Sequence, residues 1–556
     1  MPRTNETVRQ KETYVQAGRY LLEQFSIPGL RSHATVAIVD RNRIQFYYAT
    51  HSVILVSSAI AFSTFDPEEG VDKFIAILIA FNRLSLRDNG ILNMLPGGPQ
   101  FMNNAEVMTS ATDRNMSRIQ EGNQLKILGK RRTQDFTITF GKLISREPSL
   151  MGRSTVVLQA TATRWSKLDL VVKISWPGSR RVGESDFMEG AKRKAKVKHQ
   201  WAVKHLPQIL YSHDVVFESD SPYADVEGLF DDPKFVNGEF KYEQRTLRVL
   251  IMERLDPLTT LTKARDVAQV LLDTACSGYF RLILGNYTLT PDCLVHRWLY
   301  EHAGILHRDL SPNNIMYRRA GGRVYGVLVD YDLASWRESL TKDYQKTSEQ
   351  RTGTPPFMAH GLLHGADPLH LYRHDLESLF YVMLVLATHY EIKAQGISGG
   401  LRTREGTLEF KKWFEAADYE TLAGIKHLFF VNLTEFGVSP SFEGFYDWLR
   451  SLQASFVAGF QAKDQYSFQR RMRHLLPMGA PGKSEEVATF DDETLGGYIT
   501  HSAFIESTRK LTGELEGLII RGSPSAGATA GRNTRSQRGR GGQRGRRRGG
   551  SGKRKS

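Results

Sequence analysis

Two short polar segments separated by a turn constrain this 556-residue chain more than any other feature. The first, residues 307–314, reads His-Arg-Asp-Leu-Ser-Pro-Asn-Asn. The second, residues 330–332, reads Asp-Tyr-Asp and directly follows an apolar Val-Leu-Val segment. Between them lies Gly321-Gly322, a pair that predicts a tight turn joining two short strands. The polar segments are therefore expected to flank a β-hairpin.

This arrangement resembles the catalytic and metal-binding loops of a protein kinase. In the pattern H-R-D-L-x-x-x-N the Asp accepts the proton of the substrate hydroxyl, and the Asn helps to hold magnesium. Asp309 and Asn314 have that spacing, and Asp330 stands where the metal-binding Asp of D-F-G is expected. A lone H-R-D tripeptide is common by chance. Residues 351–359 and 374–378 then resemble the end of a kinase activation segment and the start of the helix beneath the active site, which places four motifs in kinase order.

Upstream features occupy the places of the kinase nucleotide-binding elements. Gly152 and Ser154 stand where a glycine-rich loop is expected, a loop whose backbone N–H groups approach phosphates closely. Lys173 interrupts an apolar strand, as does the kinase Lys that contacts the α- and β-phosphates. Its carboxylate partner on the next helix is expected to be Glu184, with Glu189 as the alternative.

Three further segments complete the kinase pattern. The apolar run 247–252 predicts a strand that leads into Glu253, at a hinge bordering an adenine pocket. Residues 218–232 contain six acidic residues and no basic ones, and we expect an exposed loop inserted between two strands. The stretch 375–390 is almost continuously apolar, which predicts a helix buried on all sides.

These patterns predict an α+β chain with five successive parts. Residues 1–95 are expected to form a small α/β domain, 96–132 a linker, 133–255 a kinase small lobe, 256–520 a helical lobe, and 521–556 a disordered basic tail.

The N-terminal domain shows two changes of hydrophobic period. Apolar residues recur at helical spacing over 14–25, and the segments 35–39, 44–48 and 52–62 are rich in β-branched and aromatic residues. A helical stripe returns over 71–79 and is expected to cover one face of the resulting sheet. The domain carries no nucleophile, metal cluster or phosphate loop in its sequence, so we expect a packing or docking module.

Positive charge is concentrated at the carboxyl end. The chain has a net charge of +14, and residues 532–555 hold eleven Lys or Arg and no acid. Such a segment cannot bury a core, and it could bind RNA or DNA non-specifically by releasing counterions from phosphates. A nuclear import signal or a solubilising tail is equally compatible with this composition.

Cysteine usage and hydropathy indicate an intracellular protein. Cys276 and Cys293 are the only cysteines, so no disulfide-linked partner is expected and a reducing compartment is indicated. The first residues lack the apolar core of a signal peptide, and no apolar run reaches the roughly 18 residues needed to cross a bilayer. We expect no membrane association and a location in the nucleus or cytoplasm, the basic tail favouring the nucleus.

The motifs together are similar to those of fungal-type protein kinases. The similarity extends from the hairpin at 32–48, through Ser-Trp-Pro at 175–177, to residues 307–311 and 374–378. It implies a bilobal protein-kinase-like fold, ATP and Mg²⁺ as cofactors, and phosphoryl transfer to a Ser or Thr of a protein substrate.

Three departures from the kinase pattern bear on catalysis. Ser311 replaces a Lys that neutralises the transferring phosphate in many Ser/Thr kinases, and Asp332 replaces the Gly of D-F-G. Residues 359–361 read Ala-His-Gly and lack the Glu that anchors the activation segment. Arg308 is expected to pair with a phosphate on this segment and to order it, whereas Thr354 is expected to bond the catalytic Asp and stay unmodified. The candidate phosphorylation sites are Thr347, Ser348 and Thr352.

Three functions fit these observations. An active Ser/Thr kinase would use Lys173, oriented by Glu184, for the phosphates, Asn314 and Asp330 for magnesium, and Asp309 for the hydroxyl. A pseudokinase that binds partners without turnover is the competing interpretation, and a small-molecule kinase is a third. Retention of all these polar groups favours catalysis, because a scaffold has no physical need for them together.

Overall fold

The computed structural model shows a mixed α+β protein, as the sequence predicts. The described residues are 5–26, 30–40, 43–61, 67–84, 88–92, 100–102, 121–127, 135–195, 199–215, 217, 222–231, 243–275, 295–339, 353–364, 369–393, 399–406, 408–475 and 489–516. The predicted basic tail and both cysteines lie outside these ranges. Within them, no helix combines the length and apolar character needed to span a bilayer.

The N-terminal unit packs one long helix on a small antiparallel sheet. Its elements are α1 (Asn5–Ser26), β1 (His33–Asp40), β2 (Arg43–Thr50), β3 (Ile54–Val56), β4 (Ile60–Ala61) and α2 (Pro67–Arg83). Strand β2 is central and pairs with β1, β3 and β4. Ala17, Leu21 and Phe25, spaced by four residues, are buried in the core of this unit. The predicted first helix and hairpin are thus confirmed.

Helix α2 does not cover the sheet as predicted. Phe81 stacks on Phe46 of β2 with ring centres 5.3 Å apart, but Ile75, Leu78 and Ile79 stay 46%, 51% and 46% exposed. The helical period was interpreted correctly. A stripe alone does not specify the surface against which it packs.

A seven-stranded antiparallel sheet follows. Its strands are β5 (Gln100–Met102), β6 (Gln124–Ile127), β7 (Phe136–Glu147), β8 (Thr155–Ala162), β9 (Leu170–Ser175), β10 (Ile209–Val215) and β11 (Leu247–Glu253). They lie in the order β10-β11-β9-β8-β7-β6-β5. One face buries aliphatic residues together with Leu30 and Leu92 of the N-terminal unit. The N-terminal unit and this sheet therefore share a core.

Strands β5 and β6 correct the expectation of a linker over 96–132. Strand β6 pairs with β7 over four residues, and Leu125 and Ile127 are buried in the sheet core. The two apolar residues alternate with Gln124 and Lys126, a period-2 pattern too short to stand out among polar neighbours.

A predominantly helical body forms the remainder. Its helices and those of the segments leading to it are α3 (Glu184–Lys194), α4 (Pro222–Gly228), α5 (Ala264–Ala275), α6 (Val295–Trp298), α7 (His360–Leu363), α8 (Tyr372–His389), α9 (Lys411–Phe414), α10 (Tyr419–Val431), α11 (Tyr446–Leu475) and α12 (His501–Ser507). All 18 residues of α8 are buried, which confirms the predicted central helix. Short strands on this body are β12 (Asp256–Pro257), β13 (Ile305–Leu306), β14 (Ile315–Ala320), β15 (Arg323–Leu328), β16 (Ser335–Trp336), β17 (Tyr390–Lys393) and β18 (Gly400–Thr403).

The hairpin of β14 and β15 joins the two polar segments as predicted. Its two-residue turn is Gly321-Gly322, with φ values of +57° and +74°. Positive φ at both central residues is typical of a type I′ turn, which glycine adopts without steric cost.

The acidic segment 218–232 is not simply an exposed loop. Helix α4 lies within it, and Tyr223 is buried with its ring 4.4 Å from Phe217 and 5.8 Å from Trp176. The Tyr223 hydroxyl donates to the Arg245 carbonyl at 2.6 Å. The prediction weighed the acidic residues, but one aromatic side chain fixes the described part of the segment on the sheet.

Candidate active site

Lys173 lies on β9, an interior strand of the seven-stranded sheet, and contacts three carboxylates. Its Nζ is 2.5 Å from Glu184 Oε1, 2.8 Å from Asp330 Oδ1 and 2.8 Å from Asp332 Oδ2. Glu184 is the first residue of α3 and is buried, whereas Glu189 is exposed on the same helix. Of the two candidates left open by the sequence, Glu184 pairs with Lys173.

Burial and neighbouring charges shift the pKa values of Lys173 and Glu184. Burial opposes a charged ammonium, yet Asp330, Asp332 and Glu184 raise the pKa of Lys173 well above its usual value. Burial also raises the pKa of Glu184 to about 8, and the neighbouring Asp332 and Asp330 add to the effect. Glu184 therefore binds a proton more readily than an ordinary carboxyl does, and Asp330 and Asp332 supply the negative charge that faces Lys173.

Asp309 is held in place by the activation segment. Burial removes the Asp309 carboxylate from water and so disfavours its charged form, and the negative charge of Asp330 adds to this effect. Together they raise the pKa of Asp309 to about 6. The backbone N–H and the hydroxyl of Thr354 both donate to Asp309 Oδ1 at 3.0 Å. Asn314 Nδ2 donates to the Asp309 carbonyl at 2.8 Å. The expected contact between Thr354 and Asp309 is present. Asn314 uses its Nδ2 for the loop, which leaves its own Oδ1 as the side-chain atom suited to a metal.

A buried carboxylate beneath the loop fixes its backbone. Asp375 Oδ2 accepts from the N–H groups of His307 and Arg308 at 3.2 and 3.1 Å, and from His296 Nε2 at 3.0 Å. Its Oδ1 bonds His370 Nε2 at 2.8 Å. Arg308 can therefore keep φ at +72°, a conformation that costs energy in a residue other than glycine. The sequence marked Asp375 only as a helix start.

His307 connects the two polar segments. Its Nε2 lies 3.0 Å from the Val329 carbonyl, and its Nδ1 accepts from the Asp309 N–H at 3.3 Å. Burial lowers the pKa of His307 to about 4, so the ring is neutral at pH 7 and carries its hydrogen on Nε2. This bridge ties the Asp309 loop to the strand end that presents Asp330.

Asp330 and Asp332 both turn toward the Lys173 ammonium. Asp330 has φ of +63°, which is rare outside glycine and concentrates at functional sites. Burial alone would raise its pKa, but Lys173 and Arg153 outweigh that effect and hold the pKa of Asp330 well below its usual value. Glu184, Asp330 and Asp332 offer carboxylate oxygens within 4.8 Å of one another. Hard oxygen ligands of this kind fit magnesium.

The order of these residues along the chain matches a known family. A family model described as Fungal protein kinase matches residues 2–226 and 291–387, more than half of the sequence. The chain belongs to the fungal protein kinase family. The resemblance drawn from the motifs is thereby confirmed. This fungal protein kinase is also similar to the serine/threonine-protein kinase CHK1 of Saccharomyces cerevisiae, at 31% identity over 91 residues that span 16% of each chain.

In this fungal protein kinase, the turn at the place of the glycine-rich loop is bonded to its surroundings. The Gly152 N–H donates to the His51 carbonyl at 3.1 Å, and the Trp176 N–H donates to the Arg153 carbonyl at 2.6 Å. Ser154 has φ of +40°. The Gly152 N–H, which the sequence predicted to face a phosphate, therefore donates to the N-terminal unit instead.

Glu253 closes strand β11 at the expected hinge, but its carboxylate is engaged elsewhere. It accepts from the Gln208 N–H at 3.1 Å and from Arg318. On the other side of β9, Gln159 of β8 lies opposite Val171, and Val171 shares a face of β9 with Lys173. An open depression borders this face and is lined in part by Thr139, Gln159, Thr161, Asp169 and Arg254. The Glu253 N–H is engaged as well, because it donates to the Gln208 carbonyl at 3.1 Å, and adenine binding by Glu253 stays a prediction.

Two residues that sequence analysis missed hold the end of the activation segment. Glu377 Oε1 accepts from the His360 N–H at 2.5 Å and from the Tyr381 hydroxyl at 2.7 Å. Lys426 is fully buried and donates to the Met358 carbonyl. Both contacts lie at or next to residues 359–361, where this fungal kinase lacks the Glu that usually anchors the activation segment. The candidate phosphorylation sites at 347, 348 and 352 fall outside the described residues, so the role of Arg308 toward a phosphate stays a prediction.

Proposed function

We propose that the chain is an ATP- and Mg²⁺-dependent protein kinase with a bilobal fold, which transfers the γ-phosphate to a Ser or Thr of a protein substrate. The observation that carries the proposal is the convergence of Lys173, Glu184 and Asp330, together with the Thr354 bonds that orient Asp309. Phosphoryl transfer depends almost entirely on positioning and charge, so a site that fixes these groups is suited to it. The cleft would lie between the sheet and the helical body.

Each residue of the site has a separate task. Lys173 would hold the α- and β-phosphates while Glu184 keeps its ammonium in place. Asn314 Oδ1 and the Asp330 carboxylate would hold Mg²⁺, and the ion would supply positive charge near the phosphates. Asp309 would accept the hydroxyl hydrogen as the new P–O bond forms.

A pseudokinase is the second candidate. It is supported by the Gly152 hydrogen bond to His51 and by the ion pairs that already occupy Lys173 and Asp330. To decide between the two, the purified full chain is incubated with γ-labelled ATP and Mg²⁺, with and without a generic basic protein. Labelled phosphoserine or phosphothreonine that disappears with EDTA supports the kinase. Nucleotide binding without any labelled protein supports the scaffold.

Thr354 is expected to act on activity without affecting the fold. Replacing Thr354 by Val removes the hydroxyl bond to Asp309 while the backbone bond remains. A hydrogen bond to a charged group contributes about 1.5–3 kcal/mol, so kcat should fall about 10- to 100-fold, while the melting temperature should fall by a few degrees and the chain should stay folded. Thr354→Ser, which restores the hydroxyl, should recover most of the rate. Equal rates for parent and the Val variant would show that the hydroxyl is not needed.

The basic tail remains a proposed nucleic-acid contact. Deleting residues 522–556 removes the eleven cations of 532–555 and should abolish salt-sensitive retention on RNA or DNA, because those cations release counterions on binding. Kinase activity should be unaffected. A filter-binding titration at two salt concentrations measures the effect, and undiminished retention by the truncated chain would exclude the tail as the contact. The tail is also the basis for proposing the nucleus over the cytoplasm.

A further inference from the structure

The catalytic loop lacks a positive charge that many Ser/Thr kinases place near the transferring phosphate. Two residues after Asp309 the chain has Ser311, a buried neutral side chain, where many Ser/Thr kinases have the Lys that meets the transferring phosphate. A γ-phosphoryl group beside Asp309, Asp330 and Asp332 would approach negative carboxylates, so a cation in addition to Lys173 and the proposed Mg²⁺ would reduce the repulsion.

Arg153 is placed to supply that charge. Its Nη1 lies 3.8 Å from Asp330 Oδ2 and 3.8 Å from Asp332 Oδ2. These separations are too long for hydrogen bonds, so the two carboxylates attract the guanidinium without using its N–H groups. About a third of the Arg153 side chain is exposed, at 32%. The guanidinium therefore faces the cleft with capacity to bind a ligand.

The turn that carries Arg153 is held on two sides. Its own carbonyl is fixed by the Trp176 N–H, and the preceding Gly152 is fixed by the His51 carbonyl. Leu150, at the start of the same turn, packs on the core of the N-terminal unit. A side chain delivered from a backbone held in this way loses little freedom when it binds a ligand.

We propose that Arg153 is a catalytic residue that binds the γ-phosphoryl oxygens, taking the role that Ser311 cannot fill. The inference rests on the proposed kinase function. A guanidinium matches phosphate geometry with two parallel N–H donors. In the step itself, the substrate hydroxyl oxygen forms a bond to the γ-phosphorus and the bond to the β-bridging oxygen breaks. The hydroxyl proton passes to Asp309, the electron pair leaves with ADP, and Arg153 stays protonated throughout.

The test compares Arg153→Ala, Arg153→Lys and the control Arg193→Ala, which removes an exposed arginine of α3. In Arg153→Ala, kcat should fall about 10²- to 10³-fold, in line with loss of a preorganised transition-state contact, and KM for ATP should rise by a smaller factor because the contact to the bound γ-phosphate is lost as well. Arg153→Lys should recover part of the rate, because a point charge replaces the fork. Arg193→Ala should match the parent.

Thermal shifts separate this inference from the proposed function. With Mg²⁺, the parent should be stabilised more by a non-hydrolysable ATP analogue than by ADP, and Arg153→Ala should lose only that difference. If the parent transfers no phosphate, the kinase proposal fails while this nucleotide comparison still tests Arg153. Equal loss of the ADP and ATP-analogue shifts, or a parent-like kcat in Arg153→Ala, would overturn the inference.

Discussion

Replacing Asp309 by Asn is expected to lower phosphoryl transfer about 10²- to 10⁴-fold, the usual contribution of a positioned general base, without weakening nucleotide binding. The amide cannot accept the hydroxyl proton. It keeps the shape that accepts from Thr354, so the loop should hold its conformation. Stabilisation by Mg²⁺ and ATP in a thermal melt should equal that of the parent, because Asp309 does not touch the nucleotide.

Asp330→Asn provides the contrasting variant. It should abolish activity as well, but it should also reduce the magnesium-dependent thermal shift, because the replaced carboxylate is the proposed metal ligand. Asp332→Gly is measured alongside, since Asp332 lies as close to Lys173 as Asp330 does. If Asp330→Asn keeps the full magnesium-dependent shift and Asp332→Gly loses it, Asp332 is the metal ligand.

Lys426→Ala is expected to cause a large loss of stability. Lys426 is fully buried, with Nζ 4.0 Å from the Tyr381 ring centre and 5.2 Å from that of Trp413. Truncation leaves a cavity and an unpaired Met358 carbonyl, at a cost of about 3–5 kcal/mol. Denaturant unfolding followed by fluorescence measures this change.

Lys426→Met separates packing from charge. Met fills the cavity, so most of the stability should return, while the bond to the Met358 carbonyl is lost and the end of the activation segment loosens. We therefore expect about tenfold lower activity, the size of one lost charged hydrogen bond. Parent-like activity of Lys426→Met would show that the ammonium does not position the segment.

The difference in stability between the parent and Lys426→Met is expected to depend on pH. Burial lowers the pKa of Lys426 to about 7, whereas the unfolded chain binds this proton up to a pKa of about 10.4. Between these values the unfolded state holds more protons, so the stability of the parent relative to Lys426→Met should rise with pH. The difference should be constant below about pH 7. A difference that falls over this interval would contradict a buried, destabilising charge.

The sequence predicted the parts of the site that lie within short motifs. The spacing of Asp309, Asn314 and Asp330, the hairpin between them and the buried α8 all follow from local patterns. The role of Lys426 does not follow from a local pattern, because nothing in the sequence of α10 distinguishes this Lys from a solvent-exposed one. Its environment is built from Tyr381 and other residues distant in sequence.

Arg153 and the short strands show the same limitation. Arg153 stands between the expected loop positions Gly152 and Ser154 and has no predicted role of its own, since its significance depends on carboxylates nearly 180 residues away. Strand β6 was hidden because pairing with β7, rather than its own propensity, makes it a strand. Burial of Tyr223 likewise depends on Trp176, a partner no local window contains.

The contact between His51 and Trp176, which directly follows the strand that carries Lys173, has a thermodynamic consequence. The His51 ring lies 4.6 Å from that of Trp176, and the His51 carbonyl holds Gly152 beside Arg153. A molecule that binds the N-terminal unit more tightly in this arrangement would raise affinity for nucleotide. Nucleotide would then raise affinity for that molecule by the same factor, because coupling free energy is reciprocal. Binding to the N-terminal unit would therefore depend on whether the cleft holds nucleotide.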